Sequence, residues 1–220
     1  MSQKVNEGRR SGLLITFEGP EGSGKSTLVR GLAEHLTSRG CVPYLLREPG
    51  GTAIGERIRN ILLDTASSEM CAETELLLME ASRAQLVREK ILPSLAAGMI
   101  VLCDRFADAS VAYQGAGREL GVALVERFND FALGGLEPDV TFLCLLPPEE
   151  GRARLQGRQT DRLDREAMSF HQRVFEAYQH MGASGESRFA VIDATASPEH
   201  MLQQVLARLQ QLEHGLLKYL

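Results

Sequence analysis

The chain has 220 residues, of which 44% are hydrophobic and 24% charged, a globular composition with enough apolar material for one core. A net charge of −5 and a pI of about 5.6 argue against general nucleic-acid binding, so an anionic ligand would need a local cluster of positive charge. The four cysteines (Cys41, Cys71, Cys103, Cys144) form no CxxC pair and no zinc spacing; Cys103 and Cys144 each close an apolar run and suit small core residues, and the pattern fits a reducing compartment.

Residues 1–12 are polar, with no apolar signal-type segment before the first strand, which predicts a flexible tail and no signal peptide. Residues 13–220 read as a single domain. No apolar run is long enough to cross a membrane, and a cytoplasmic location is expected. Leu13–Phe17 is a buried-type strand, and a helix is expected over 25–39. Strand 42–46 follows, then helices over 54–65 and 72–97. Strand 100–103, helix 119–134 and strand 140–146 come next. Helix 163–181, strand 189–192 and helix 198–214 complete the pattern. Continuous apolar strands separated by amphipathic helices predict an α/β fold, a five-stranded parallel sheet covered on both faces.

Between the first strand and helix, Gly19-Pro20-Glu21-Gly22-Ser23-Gly24-Lys25-Ser26 matches the phosphate-binding loop pattern G-x-x-x-x-G-K-[ST]. Glycines let successive backbone N–H groups turn inward at a helix N-terminus, where a polyphosphate is favoured. Lys25 would reach the β- and γ-phosphates, and the Ser26 hydroxyl would join a Mg²⁺ ion. Asp104 ends the third strand, at the sheet edge where ligands bind in open α/β folds. It suits either the Mg²⁺ shell or a helix cap. Arg105 beside it would face the same cleft, with a fork that can bond two phosphate oxygens.

The segment 149–166 carries five arginines: Arg152, Arg154, Arg158, Arg162 and Arg165. It reads as a solvated helix face or as a mobile lid over phosphates, and the phosphate-binding loop favours a lid at about 148–166. No guanine-reading N-K-x-D and no D-x-x-G switch accompany the loop, which argues against a GTPase. An arginine-rich, histidine-poor site suits transfer to an acceptor that is itself a phosphate, since that oxygen is already ionised near neutral pH.

Four segments resemble the thymidylate kinase family in its bacterial form: FEGPEGSGKST (17–27), REPGGT (47–52), MEASRAQ (79–85) and DRFADASVAYQGAGR (104–118). The resemblance implies a three-layer P-loop kinase fold with a small arginine-rich lid, ATP and Mg²⁺, conversion of dTMP to dTDP, and a homodimer. By that likeness Gly19, Pro20, Glu21, Gly22, Ser23, Gly24, Lys25, Ser26 and Thr27 would hold ATP. Glu21 would also approach the dTMP sugar. Arg47 and Arg105 would grip the dTMP phosphate, and Glu48–Pro49 would be a cis bond. Arg83 would hydrogen-bond thymine, Ser110 and Gln114 would line the base pocket, and Tyr113 would crowd a ribose 2′-hydroxyl. Met79 stands where the family usually stacks a Phe on thymine; it suits either that packing or plain core. No basic residue lies at positions 20–23, which resembles members whose lid supplies the catalytic arginine. Arg154, Arg158 and Arg162 are the candidates, Arg158 first. The turn Asp193 to Pro198 is the expected place for adenine.

Overall fold

The computed structural model describes residues 11–157, 160–212 and 214–215. All five expected strands form: β1 (Leu13–Glu18), β2 (Tyr44–Arg47), β3 (Ile100–Asp104), β4 (Val140–Leu145) and β5 (Phe189–Asp193). They pair in parallel in the order β2-β3-β1-β4-β5. Side-chain alternation sends Leu13, Ile15 and Phe17 to one face of the sheet and Leu14 to the other. On the first face they meet Leu28 and Leu32 of α1 (Lys25–Ser38) and Val205 of α9 (Pro198–Leu209). On the second, Leu14, Val101 and Cys103 meet Leu86 of α3 (Ala72–Leu86) and Leu95 of α4 (Leu92–Ala96). Burial on both faces explains why the central strands β1, β3 and β4 read as mostly apolar runs. Cys103 and Cys144 are buried free thiols, as their sequence setting suggests.

Local chemistry sets the element ends. Pro43 has no N–H to give the sheet, so β2 starts at Tyr44 rather than at Val42. The Thr52 hydroxyl accepts from Gly55 N at 2.9 Å and opens α2 (Ala53–Leu63). Gly121, at φ 92°, delays α6 (Val122–Leu133) by three residues from the expected start. Helix α8 (Met168–Ala183) starts later than residue 163 because Asp161 and Asp164 fold a turn by accepting from each other's backbone N–H, at 2.9 and 3.0 Å. Helix α9 ends at Leu209, short of the expected 214.

The long helix expected over 72–97 is interrupted. Between α3 and α4, Val87–Ile91 is π-helical, and Leu92 N donates to Val87 O, five residues back. Pro93 follows, and its missing N–H and bulky ring upset ordinary α pairing at this turn. Two elements go beyond the sequence expectation. Helix α5 (Ala107–Ser110) runs into a π-helical stretch, Val111–Gly117, and α7 (Pro148–Arg154) opens the arginine-rich segment. Ser11 and Gly12, expected within the tail, are fastened to Leu95, with Gly12 N donating to Leu95 O at 3.0 Å; residues 1–10 lie outside the described residues. Among the described residues no helix is long and apolar enough to cross a membrane.

Phe142 of β4 is fully buried and packs on Phe17 with ring centroids 5.4 Å apart. Phe142→Ala should lower the free energy of unfolding by about 3–5 kcal/mol in urea titration; a loss under about 1 kcal/mol would show that this contact does not carry the core.

Candidate active site

Strand register brings the site together. Phe17 of β1 lies level with Asp104 of β3 and with Phe142 of β4, and Asp104 lies level with Arg47 of β2. The carboxyl ends of three central strands therefore open at one height, where the chain leaves β1 toward either side of the sheet. A cleft of about 500 Å³ lies there.

The phosphate-binding loop forms one wall. Gly19 is at φ 139°, and a Cβ there would stand 2.2 Å from the Cys144 carbonyl oxygen, so only glycine fits. Lys25 Nζ lies inside the loop, donating to Gly19 O (2.9 Å), Pro20 O (2.7 Å) and Ser23 Oγ (3.1 Å). Burial and the nearby Arg105 charge pull Lys25 below the usual lysine range, and Glu21 and Asp104 partly restore it. Glu21, Gly22, Gly24, Lys25, Ser26 and Thr27 line the cleft. Ser26 Oγ donates to Asp104 Oδ2, so the two proposed metal oxygens are adjacent. Two oxygen donors beside a phosphate loop suit Mg²⁺, which keeps several waters and takes few protein ligands. Asp104 makes this contact, and no cap of α5 involves its side chain.

Arg105 joins the two halves of the cleft. Its φ is 69°, a left-handed conformation that a non-glycine residue holds only under constraint. Its N–H donates to Phe17 O (2.9 Å), Nη1 to Gly19 O (2.9 Å), and Nη2 to Glu21 Oε1 and to Tyr113 OH (3.0 Å). Glu18, at the end of β1, fixes the turn from behind. Its Oε1 accepts from Phe106 N (2.7 Å) and Ala109 N (3.2 Å), and its Oε2 from Tyr178 OH (2.9 Å). Burial and Asp108 push the Glu18 carboxyl up to about 8, against the opposing pull of Arg105 and the Phe106 amide.

The other wall holds the acceptor candidates. Arg47 and Pro49 line the cleft, and the Glu48–Pro49 peptide is cis. Arg47 is half-exposed and paired with Glu56 at 2.9 Å. Met79 is buried against Leu62, Ala112 and Tyr113 and also lines the cleft, so it is core and wall at once. Ser110, Tyr113 and Gln114 line the cleft as well. Burial raises the Tyr113 phenol above its ordinary range, so it stays neutral. Arg83 is 1% exposed and fully engaged within the protein. Nε and Nη2 meet Glu48, Nη1 meets Glu80, Ser110 and Asn129, and Nη2 also donates to Phe106 O at 3.0 Å. A guanidinium has five N–H donors, so Arg83 can bond a base only by giving up one of these partners. Burial raises the Glu48 carboxyl to about 7, with Arg83 pulling the other way.

The three lid candidates separate. Arg154, at the end of α7, lines the cleft and donates through Nη1 to Ala194 O (2.9 Å) and Gly22 O (3.5 Å). Arg162, expected as a catalytic candidate, instead points into the protein. It is 7% exposed, with Nε on Leu62 O (2.9 Å) and Nη2 on Glu75 Oε2 (2.6 Å), because a buried carboxylate attracts it more than solvent does. Arg158 lies outside the described residues. Helix α7 sits directly on the loop: a Cβ on Gly151 would be 2.4 Å from Glu21 O, and one on Gly22 would be 2.5 Å from Gly151 O. A smaller groove of about 260 Å³ beside the loop is lined by Gly24, Thr27, Arg154, Ala196, Pro198 and Met201, next to the turn expected for adenine.

Sequence reading missed Arg59, which lines the cleft and donates to Pro49 O at 2.9 Å. In AIGERIRNILL it looks like an ordinary charged position of an amphipathic helix, and only the fold turns it inward. Glu18 was hidden in the same way, as the last letter of an apolar strand.

Glu18 makes stability depend on pH with a definite sign. Its folded value, about 8, exceeds its ordinary 4.5, so between the two the folded chain holds a proton the unfolded chain has lost. That stabilisation is complete below the ordinary value and is lost as pH rises through about 8; Glu48 adds the same sign up to about 7. Glu18→Gln should flatten the fall in unfolding free energy across that window by up to about 1.4 kcal/mol per pH unit. An unchanged slope in denaturant titrations would assign the dependence to other groups.

The chain matches the thymidylate kinase family over residues 17–205. It is 44% identical over 203 residues to the thymidylate kinase of Bacillus pumilus, covering 91% of this chain and 96% of that protein. Identity to the thymidylate kinase of Bacillus velezensis is 46% over 199 residues, covering 89% and 94% of the two chains. For that of Desulfovibrio desulfuricans it is 44% over 200 residues, covering 87% and 92%. With the parallel sheet, the phosphate-binding loop and the Asp104–Arg105 edge in one cleft, the chain belongs to the thymidylate kinase family.

Proposed function

We propose that this cleft carries the γ-phosphoryl group of ATP onto dTMP, giving dTDP and ADP, with the donor on the phosphate-binding loop and the acceptor on the Arg105 side. The observation that carries this division is Arg105 itself, hydrogen-bonded to Gly19 of the loop and to Tyr113 of the opposite wall. An oxygen of the dTMP phosphate attacks the γ-phosphorus in line. The bond from phosphorus to the β–γ bridging oxygen breaks, and ADP leaves with that electron pair. No proton need move in this step, so the residues have to position groups and neutralise charge.

Lys25 exchanges its loop carbonyls for β- and γ-phosphate oxygens, and the loop amides from Gly22 to Thr27 bind the rest of the chain of phosphates. Ser26 and Asp104 would hold Mg²⁺, which supplies charge neutralisation between the phosphates when bound. Arg105, with Arg47 and Arg59 beside it, holds the acceptor phosphate, and Glu21 meets the sugar. Thymine packs on Met79 against Ser110 and Gln114, with Tyr113 at the 2′ position. Adenine rests in the groove by Ala196, Pro198 and Met201. Arg154 is the lid arginine that reaches the transferring group, since it already stands at Gly22. Residues 13–220 act as one domain. Two copies pair through α2, α3 and α6, which pack side by side and expose Ile61, Leu77 and Phe131, the last at 81%. The enzyme works in the cytoplasm, consistent with four free cysteines.

In an assay of ADP release across dTMP, dUMP, dGMP and CMP, dTMP should give the highest kcat/KM; a better acceptor among the others would refute the reading. Arg154→Ala should lower kcat by about 100- to 1,000-fold with little change in KM for dTMP. Arg162→Ala should instead lower thermal stability, because it removes one of the two guanidinium groups that neutralise buried Glu75. Near-normal kcat in the Arg154 variant would remove that residue from the mechanism.

A further inference from the structure

Glu75 of α3 is fully buried and lies outside the phosphate machinery. Its Oε2 accepts from Arg118 Nη2 at 2.9 Å and from Arg162 Nη2 at 2.6 Å. Its Oε1 accepts from Gln114 Nε2 at 2.8 Å, its shortest bond, and from Arg118 Nε at 3.2 Å. Burial alone would raise this carboxyl, but the bonds from Arg118, Gln114 and Arg162 bring it below the usual range, so it is ionised. An ionised carboxylate has no proton to give. Gln114 must therefore turn its NH2 toward Glu75, and the sense of its amide is not free. Its Oε1 is left for the cleft, which Gln114 lines.

Pyrimidines differ at the atom such an oxygen would meet. Thymine and uracil carry N3–H, a donor, whereas cytosine carries an N3 lone pair, an acceptor. We propose that Glu75 is a positioning residue for base selection: by holding the NH2 of Gln114, it makes Gln114 an acceptor that admits N3–H pyrimidines and rejects cytosine. This rests on the reading that the base of dTMP lies against Gln114. Glu75 touches no substrate and acts through the Gln114 amide alone.

The isosteric change Glu75→Gln gives a sharp test. The introduced amide has one oxygen and one NH2. The two shortest guanidinium bonds, from Arg162 Nη2 at 2.6 Å and Arg118 Nη2 at 2.9 Å, both fall on Oε2, so the introduced oxygen takes that side. The introduced NH2 then faces Gln114, whose amide turns over and presents its own NH2 to the cleft. That group repels N3–H and suits the cytosine lone pair. The ratio of kcat/KM for dTMP to that for dCMP should fall by about 100-fold, chiefly through KM, with kcat at saturating dTMP changed much less.

A merely structural Glu75 would slow both acceptors in proportion, and an unchanged dTMP-to-dCMP ratio overturns the proposal. If Glu75→Gln does not fold, Glu75→Asp keeps the charge opposite the arginines and withdraws from Gln114 by one methylene. It should shift the ratio in the same direction, and an unshifted ratio overturns the proposal equally. Wild-type turnover of dTMP tests the cleft reading by itself: if dTMP is not phosphorylated, that reading fails first, whereas the ratio in the variants tests only Glu75.

Discussion

Arg105 occupies a backbone conformation that costs a non-glycine residue on the order of 1–3 kcal/mol. That strain persists because the surroundings over-determine it. The Arg105 amide is bonded to Phe17, and the amides of Phe106 and Ala109 are held by the buried carboxyl group of Glu18. The guanidinium is bonded to Gly19 and Glu21 of the loop. A relaxed backbone would swing the side chain away from the sheet edge. The constraint therefore fixes a cation at the strand end, between Gly19 of the loop and Tyr113 of the opposite wall. The rest of the cleft is arranged around that cation, with Lys25 on one side and Arg47 and Arg59 on the other.

An acidic protein that handles two phosphate-bearing nucleotides must concentrate its positive charge. Here arginines come from separate elements: β2, α2, the turn after β3, and α7. Several are already paired, Arg47 with Glu56 and Arg105 with Glu21. Such pairing lets like charges share a small volume. The arginine-rich segment after β4 divides its arginines in a comparable way. Arg162 anchors it through buried Glu75, and Arg154 stays at the rim of the loop.

The strands and the loop were legible in the sequence because their signals are local. Leu13–Phe17 is a short, mostly apolar run, and the loop's glycines and Lys25 have fixed spacing. The motif at 104–118 announced a site without announcing its shape. Its short helix and π-helical stretch depend on Glu18, 88 residues from Phe106, and no local pattern carries that information. The π turn at Val87–Ile91 was masked by an otherwise good helix pattern, with Pro93 as the one available hint. Arg162 looked like its neighbours in an arginine-rich run. Its burial is decided by Glu75, a residue the sequence presents as one more helix-surface acid. Met79 resisted a single role because it has two surfaces, one in the core and one on the cleft.

The most direct measurement is the steady-state kinetics of Arg105→Lys together with calorimetric titration of ATP. Lysine keeps the charge, but its three donors radiate from one nitrogen and lack the planar fork that spans Gly19, Tyr113 and a phosphate from fixed positions. The expected result is a fall in kcat/KM for dTMP of about 100-fold or more, with ATP affinity changed by no more than a few-fold. Full activity with dTMP in that variant would contradict the claim that the fixed guanidinium joins donor and acceptor.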